Sequence, residues 1–283
     1  MTTLKNKNVS VVIPNYNYEK YIARRIDSVV KQTYPIYELI VLDDCSTDNS
    51  VEAIEKKLAE VREKHPEVEI SFVKNKINSG KAISQWKKGF ELAKGDYVWI
   101  AEADDSCSKR FLEEAMKGFD DPEVVLSYTE SMLINGAGIM IAPNFRWSRD
   151  REKTGYYKKS YIKDGFREVE EIMAIRCTIP NVSAVVFKRE DRIMEYLDEA
   201  EKFTQVGDWY FYVRILDKGR ISYNKKALNR FRIHGGSATN REQNHFDEVV
   251  EMHKFIAIKR NLDEFVTRRM TAEEERIKKK LVK

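Results

Sequence analysis

The apolar residues follow two alternating patterns over the first hundred positions of the chain. Short runs of mostly aliphatic residues are typical of strands buried on both faces of a sheet. They occur in four segments: 9–13, 38–43, 68–74 and 96–102. Between these runs, apolar residues recur every three or four positions, which predicts helices. The clearest sets are Val51, Ile54, Leu58, Val61 and Ile83, Trp86, Phe90, Ala93.

This alternation of strands and helices predicts an α/β domain with a mostly parallel central sheet and right-handed crossovers. In such sheets, ligands bind beyond the carboxyl ends of the strands. Three of the four predicted strands lead into polar sequence there: PNYN at the first strand, DDCSTD at the second and EADD at the fourth. We therefore expect the candidate chemistry to lie at this edge of the sheet.

The pattern changes after Asp105. The sequence predicts a helix over 109–119, strands over 124–136 and 181–188, a helix over 207–216 and a strand from residue 227. From residue 241 onward it is charged and helical. Because no linker or repeat divides the chain, we expect residues 1–105 and 106–240 to be two halves of one domain, followed by a helical tail over 241–283.

Composition excludes several classes of protein. The 283 residues carry 50 Lys and Arg against 46 Asp and Glu, a formal net charge of +4. A surplus this small does not predict a nucleic-acid partner, although it permits peripheral contact with an anionic membrane surface. Three scattered cysteines, no apolar run of spanning length and no recognisable signal peptide predict a cytoplasmic protein, with one disulfide left open.

Five blocks in a fixed order carry a resemblance to a known family: VVIPNYN, VLDDCSTDNS, WIAEADD, GDWYFYVRIL and FRIHGGSAT. Together they resemble the family 2 glycosyltransferases of GT-A fold, most closely bacterial members that decorate surface polysaccharides. The resemblance implies a Rossmann-like, mostly parallel sheet with helices on both faces and a smaller acceptor-side region. It also implies transfer with inversion from a nucleotide-diphosphate sugar, a UDP-sugar being favoured, to a glycan or lipid-linked acceptor. Residues 1–105 would then bind the nucleotide sugar, and residues 106–240 would bind the acceptor and hold the catalytic group.

The EADD block predicts a metal site. Adjacent carboxylates repel each other, and they tolerate a diphosphate only through a hard cation such as Mg²⁺ or Mn²⁺. We expect Asp105 to bind the metal, Glu102 to add an oxygen ligand, and Asp104 to lie by the ribose or the donor sugar. His234 completes the metal shell, contacts the diphosphate, or is a structural histidine. For the carboxylates, the alternative is a helix cap or a surface turn.

The first two blocks predict the nucleotide pocket. Pro14 fixes the backbone at the strand end, and Tyr16 can stack on the base. By the resemblance, Asp44 accepts a hydrogen bond from the base. Glu19 and Lys81 are weaker nucleotide candidates, with an ordinary solvated charge as the alternative. Asp48 and Ser46 are predicted to cap the following helix.

Asp208 is the candidate general base. Inverting transfer needs one group to take the proton from the acceptor hydroxyl, and the family places an Asp at this helix start. The alternative is a helix cap. The residue before it is Gly207 where a Glu is commoner, so no neighbouring carboxylate raises the pKa of Asp208.

Two rival functions stay open. A sugar-phosphate nucleotidyltransferase also combines a sheet, a nucleotide and paired carboxylates, but it would need a Gly-rich phosphate loop, which PNYNYEKY lacks. The other rival is a non-catalytic glycan-binding protein on a transferase fold. The aromatic and basic segment 144–165 is expected to recognise the acceptor or to order over the site, unless it is a mobile surface segment.

Overall fold

The computed structural model describes residues 7–146, 155–235 and 245–281. Within them, ten strands form one sheet that includes both halves of the chain. The strands are β1 (Val9–Asn15), β2 (Glu38–Asp43), β3 (Glu69–Lys74), β4 (Tyr97–Ile100), β5 (Ser106–Cys107), β6 (Val124–Asn135), β7 (Met140–Ala142), β8 (Tyr161–Asp164), β9 (Val185–Lys188) and β10 (Arg220–Ile233).

The strand order is β3-β2-β1-β4-β9-β6-β10-β5, with β7 on β6 and β8 on β10. The four strands of the first half are parallel to one another, as the alternating pattern predicts. β9 runs antiparallel between β4 and β6, and β6 pairs with β10 in parallel. The sheet is therefore mixed, with the predicted parallel part at one side, and the α/β class is confirmed.

Helices cover both faces of this sheet. They are α1 (Glu19–Val30), α2 (Ser50–Lys64), α3 (Ala82–Leu92), α4 (Phe111–Met116), α5 (Gly165–Glu168), α6 (Ile193–Ala200), α7 (Gly207–Ile215), α8 (His245–Lys259) and α9 (Glu264–Leu281). Successive strand residues point to opposite faces. Val12 accordingly packs in a core with α3 and α7, whereas Val11 packs in a second core with α1 and α2.

Two elements differ from the predictions. β10 begins at Arg220, seven residues before the predicted start, because a bulge between Asn224 and Ala227 interrupts its alternation while pairing with β6 continues. In the segment 144–165, Tyr156, Tyr157 and Tyr161 belong to an aromatic core, and Tyr156 and Tyr161 donate to the carboxylate of Glu168. These tyrosines are therefore structural, and Trp147 lies outside the described residues.

The two last helices pack on the body of the protein. Met252 and Ile256 of α8 and Met270 of α9 are buried in the same core as Trp209. His253 of α8 is buried in this packing: it is 3% exposed, with Nδ1 2.7 Å from Glu274 and Nε2 3.1 Å from the Ile175 carbonyl oxygen. In the part of the chain that is described, no helix is long and apolar enough to cross a bilayer, and Cys45, Cys107 and Cys177 form no disulfide with one another.

Candidate active site

A cavity of about 870 Å³ opens at the carboxyl ends of β1, β2 and β4, where the sequence predicts the site. The start of α3 and the residue that follows β10, His234, also line it. The predicted site residues that line it are Pro14, Tyr16, Glu19, Asp44, Lys81, Glu102 and His234. Asp104 is next to this cavity through its contact with His234. The fold therefore brings together residues that are up to 220 positions apart in the chain.

The turn after β1 presents Tyr16. Asn17 has a left-handed backbone with φ of 59°, which Asn tolerates better than most residues. The side chain of Asn17 accepts hydrogen bonds from the backbone N–H groups of Thr47 (2.7 Å) and Asp48 (3.3 Å). This ties the first turn to the second, and it leaves Tyr16 44% exposed at the cavity. An exposed aromatic ring on a fixed turn is a stacking surface.

Glu19 and Asp48 each cap the helix at which the other residue lies: Glu19 caps the start of α2, and Asp48 caps the start of α1. The Glu19 carboxylate accepts from the backbone N–H and the side-chain amide of Asn49, both at 2.9 Å, at the start of α2. Asp48 accepts from the backbone N–H of Glu19 at 3.0 Å, at the start of α1, and from that of Ser50 at 2.9 Å. The capping prediction for Asp48 therefore agrees with these contacts, and Glu19 also has a structural role besides lining the cavity.

Asp44 organises the loop between β3 and α3. Its carboxylate is 5% exposed and accepts from the side-chain amides of Asn75 (2.6 Å) and Gln85 (2.9 Å). Ser79 donates its backbone N–H at 3.0 Å and its hydroxyl at 2.7 Å. A nucleotide base would therefore share Asp44 with donors of the protein, and base binding by Asp44 stays a prediction.

Lys81 reaches across the cavity wall. Its ammonium donates to the backbone carbonyl of Glu201, just after α6. The cation is thereby fixed beside the cavity instead of moving freely in solvent. A fixed ammonium of this kind is suited to an anionic ligand.

Glu102 faces the cavity from the end of β4. It accepts a 2.7 Å hydrogen bond from the indole N–H of Trp86, an α3 residue that the sequence assigned only to the core. Burial and the neighbouring charge of Asp104 raise the pKa of Glu102 to about 8. The carboxyl group is therefore costly to ionise unless a positive charge is near.

Asp105 is more deeply buried than Glu102. It is 2% exposed, and its two oxygens accept from the backbone N–H of Arg232 and from the side-chain amide of Asn181, both at 2.8 Å. Burial and the charge of Asp104 raise the pKa of Asp105 to about 7. Asp105 stays a prediction as a metal ligand, but these contacts favour a role in joining the EADD turn to β10.

Asp104 and His234 are in contact beside the cavity. Oδ2 of Asp104 lies 3.0 Å from Nε2 of His234. The ring of Tyr18 packs edge-on against His234, with ring centres 5.6 Å apart. Burial and then the charges of Asp104, Glu102 and Asp105 raise the pKa of the Tyr18 hydroxyl. Asp104 and Tyr18 therefore both contact the imidazole of His234.

This arrangement fits a divalent cation that is shared with a substrate. In the described ranges, no group of three or more His, Cys, Asp or Glu side chains forms a complete metal cage. Mg²⁺ is commonly held by one or two carboxylates and the phosphates of a substrate, so a complete cage is not required. Burial and then the charge of Asp104 raise the pKa values of Glu102 and Asp105, and a nearby cation would favour the ionised form of both groups.

Asp208 lies apart from this cluster. It lines a second cavity of about 240 Å³ together with Cys177, Gln205, Trp209 and residues of α8 and α9. Its Oδ1 accepts from the backbone N–H of Trp209 at 2.7 Å. Burial raises the pKa of Asp208 to about 6, without a contribution from a neighbouring carboxylate.

Close packing explains why residue 207 is Gly where the family more commonly has Glu. A Cβ atom at this position would lie 2.8 Å from the carbonyl oxygen of Ala200 and 3.3 Å from the side chain of Ile83. The start of α7 is therefore packed against α3, whose first residue, Ala82, lines the large cavity. The starts of these two packed helices each line one cavity, α3 the large one and α7 the small one.

Comparison with known proteins adds a family match. The family model described as Glycosyl transferase family 2 matches residues 10–170. Poly(ribitol-phosphate) beta-N-acetylglucosaminyltransferase TarS of Staphylococcus aureus is 30% identical over 132 residues, which cover 46% of this chain and 22% of TarS. The hyaluronan synthase of Pasteurella multocida is 34% identical over 173 residues, which cover 56% of this chain and 17% of the synthase. The chain therefore spans about a fifth of the length of these curated relatives.

Solved structures share the fold. The crystal structure of S. aureus TarS 1-349 in complex with UDP-GlcNAc superposes with a TM-score of 0.65 at 20% identity, covering 95% of this chain and 70% of that one. A mannosyltransferase from Pyrobaculum calidifontis, in complex with GDP-Man and Mn²⁺, gives 0.61 at 19% identity, covering 95% and 69%. At this identity the likeness shows the fold, and the predicted GT-A-type architecture is confirmed.

Proposed function

The chain belongs to glycosyl transferase family 2, and from this premise we propose that it transfers a sugar from a nucleotide-diphosphate donor to a hydroxyl group of a glycan or lipid-linked acceptor. The observation that carries the proposal is that seven residues predicted to form the donor and metal site line one and the same cavity. A UDP-sugar is the favoured donor, and the complex of TarS with UDP-GlcNAc supports it. The names of TarS and the hyaluronan synthase support a role in cell-surface polymer synthesis.

In this proposal, the first two turns bind the nucleoside. Tyr16 stacks on the base, and Pro14 fixes the turn that presents it. Asp44 holds the loop around Ser79 that forms the facing wall, and it accepts a base N–H in exchange for one of its donors in the protein. Lys81 lies on the same wall and offsets phosphate charge.

Asp104 and His234 would hold the metal together with the donor diphosphate. We prefer Asp104 to Asp105 because Asp105 already accepts two hydrogen bonds and is 2% exposed. Glu102 faces the same cavity and adds negative charge. When bound, Mn²⁺ or Mg²⁺ would neutralise the diphosphate as it leaves the sugar.

Asp208 is proposed as the general base. It lies at the start of α7, where the helix dipole favours a carboxylate, although burial raises its pKa to about 6. A base with a pKa just below neutral is ionised at pH 7 and still accepts a proton well. Attack by the activated hydroxyl on the far face of the sugar inverts the anomeric configuration, which NMR of the product from a defined donor tests directly.

A donor screen tests the proposal as a whole. The thermal stability of the protein is measured with each common nucleotide sugar, with and without Mn²⁺. We expect one nucleotide to raise the Tm by several degrees only when Mn²⁺ is present, since a ligand at 100 times its Kd stabilises by about 2.7 kcal/mol. A protein that responds to no nucleotide sugar would contradict the donor site, while one that binds donors but never turns over would support the glycan-binding alternative.

A further inference from the structure

A glutamate of α8 binds the turn that leads into α7. The turn, residues 204–206, lies outside the helices and strands, so its backbone N–H groups need acceptors from elsewhere. The carboxylate of Glu248 accepts from all three of them: Thr204 at 2.9 Å, Gln205 at 2.7 Å and Val206 at 3.1 Å. One side chain therefore fixes three consecutive backbone positions.

This turn is directly connected to the candidate base. Asp208 is the second residue of α7, and Val206 is the residue that precedes the helix. The valine side chain has no acceptor with which to cap α7. Gly207, between them, leaves no space for a shift, because a Cβ atom there would lie 2.8 Å from the carbonyl oxygen of Ala200. The place of Asp208 therefore depends on where the turn is held.

Glu248 itself is not placed to contact a substrate. Among the residues that the structure describes, it belongs to the lining of neither cavity, whereas its neighbour Val249 lines the cavity of Asp208. Three N–H groups also occupy most of the acceptor capacity of its carboxylate. Any effect of Glu248 on the chemistry must therefore pass through the turn.

We propose that Glu248 is a positioning residue for the general base: by binding the turn 204–206, it fixes the start of α7 and with it the carboxylate of Asp208. The first of the C-terminal helices is then a working part of the catalytic unit. The effect on transfer rests on the role of Asp208 in the proposed function, and the binding of the turn does not.

Binding of the turn is tested by hydrogen exchange. In Glu248→Ala, the amide protons of residues 204–206 lose their acceptor, and we expect them to exchange at least about tenfold faster than in the parent. Asp263→Ala is the matched control, because Asp263 caps α9 by accepting from the backbone N–H of Val266 at 2.8 Å. It loses a bond of the same type without touching the turn. Unchanged exchange at residues 204–206 in Glu248→Ala would overturn the proposal.

Positioning of the base is tested by the rate of UDP release from UDP-GlcNAc, with water in place of the acceptor hydroxyl. Glu248→Ala should lower kcat by about tenfold to 10²-fold with UDP affinity unchanged, since a misplaced group slows the chemistry. Glu248→Gln keeps an acceptor oxygen and should recover most of the rate. Asp263→Ala should lower the Tm and leave kcat as in the parent. Equal losses of kcat in Glu248→Ala and Asp263→Ala, or a loss confined to UDP affinity, would overturn the proposal.

A double variant shows whether the effect passes through Asp208. Added to Asp208→Asn, Glu248→Ala should lower the rate by less than about twofold further, because the base is already absent. A further loss as large as in the parent background would contradict the proposal. A parent that releases no UDP, or full rate in Asp208→Asn alone, would contradict the proposed function instead, and hydrogen exchange would still decide whether Glu248 holds the turn.

If Glu248→Ala does not fold, Glu248→Asp takes its place. It keeps the charge but is shorter by a methylene group, so its carboxylate cannot reach all three N–H groups at their present distances. We expect faster exchange at residues 204–206 and a kcat lower by about threefold or more. Exchange and rate equal to those of the parent would overturn the proposal.

Discussion

Nε2 of His234 lies 3.0 Å from Oδ2 of Asp104, although the two residues are 130 positions apart in the chain. β5 holds them together, because it follows the acidic turn and pairs with β10 shortly before His234. Arg232 strengthens the same link: its backbone N–H donates to Asp105, and its Nε donates to the carbonyl oxygen of Asp104. The acidic turn and the last block of the sequence are therefore one structural unit.

Removing either partner should abolish the effect of a divalent cation. We expect Asp104→Ala and His234→Ala to lose the Tm increase that Mn²⁺ and UDP together give the parent protein, since both supply ligands. His65→Ala is the control, because His65 follows α2 and does not line the cavity. Full retention of the Mn²⁺-dependent increase in His234→Ala would return His234 to a structural role.

Asp105→Asn should mainly destabilise the protein. An asparagine has one acceptor oxygen where Asp105 uses two, so one of the donors from Arg232 and Asn181 is left unpaired in a buried site. We expect a loss of about 1–3 kcal/mol in the free energy of unfolding, measured with urea. If stability is unchanged and Mn²⁺ binding is lost, Asp105 is the metal ligand after all.

The nucleotide pocket is tested by a matched pair of aspartates. Asp44→Ala should weaken UDP binding while the need for Mn²⁺ remains, and it should also cost stability because the loop at Ser79 loses its acceptor. Asp48→Ala should cost about 1 kcal/mol of stability as a lost cap, with UDP affinity unchanged. Equal losses of affinity would mean that the second turn unfolds in both variants.

Base stacking on the exposed ring of Tyr16 is tested by removing the ring. Stacking of a base on an aromatic ring contributes about 1–3 kcal/mol, so Tyr16→Ala should weaken UDP binding by about tenfold or more in calorimetry. Tyr37→Ala is the control, since Tyr37 is exposed to a similar extent, 40% against 44%, and is not part of the cavity. If the Tyr16→Ala variant binds UDP as tightly as the parent does, the base does not stack on Tyr16.

Local patterns were sufficient to predict the parallel half of the sheet. The runs at β1 and β2 are apolar on both faces because helices cover both, and β2 was predicted with the bounds that it has. Residues at the ends of these strands were also predictable as site candidates, since strand ends in a parallel sheet share one edge.

Roles that depend on distant partners were not predictable. Nothing in the sequence near His253 indicates that α8 packs against Trp209, and nothing near Tyr157 indicates the core with Tyr223. Glu19 looks like a surface charge until its partner at Asn49 is known. The burial of Arg25 on α1 was not predictable either, because its helix position fits a core residue and its charge fits a surface one.

Asp208 is tested by removing its charge at constant size. Asp208→Asn should reduce transfer by ~10²-fold or more with donor affinity unchanged, since the base acts on the acceptor. The pKa of Asp208 in the folded protein, about 6, is above the ordinary value of 3.8. Ionisation of Asp208 therefore destabilises the folded state, and this destabilisation grows as the pH rises from about 4 to about 6. Asp208→Asn should therefore be slightly more stable than the parent at pH 7, and equally stable near pH 3.

The rate of the parent should fall below about pH 6 as Asp208 takes up its proton. Asp191→Asn is the control, because Asp191 is exposed and outside both cavities. Full activity in Asp208→Asn, or retention of anomeric configuration in the product, would leave Asp208 as a helix cap.

Calorimetric titration of UDP with and without a chelator tests the central claim, that the cavity binds a nucleotide diphosphate through a cation held by the acidic turn. We expect binding in Mn²⁺, at least about tenfold weaker binding in EDTA, and the same weak binding for Asp104→Ala in either buffer. UDP affinity that is unchanged by EDTA in the parent protein would contradict the account.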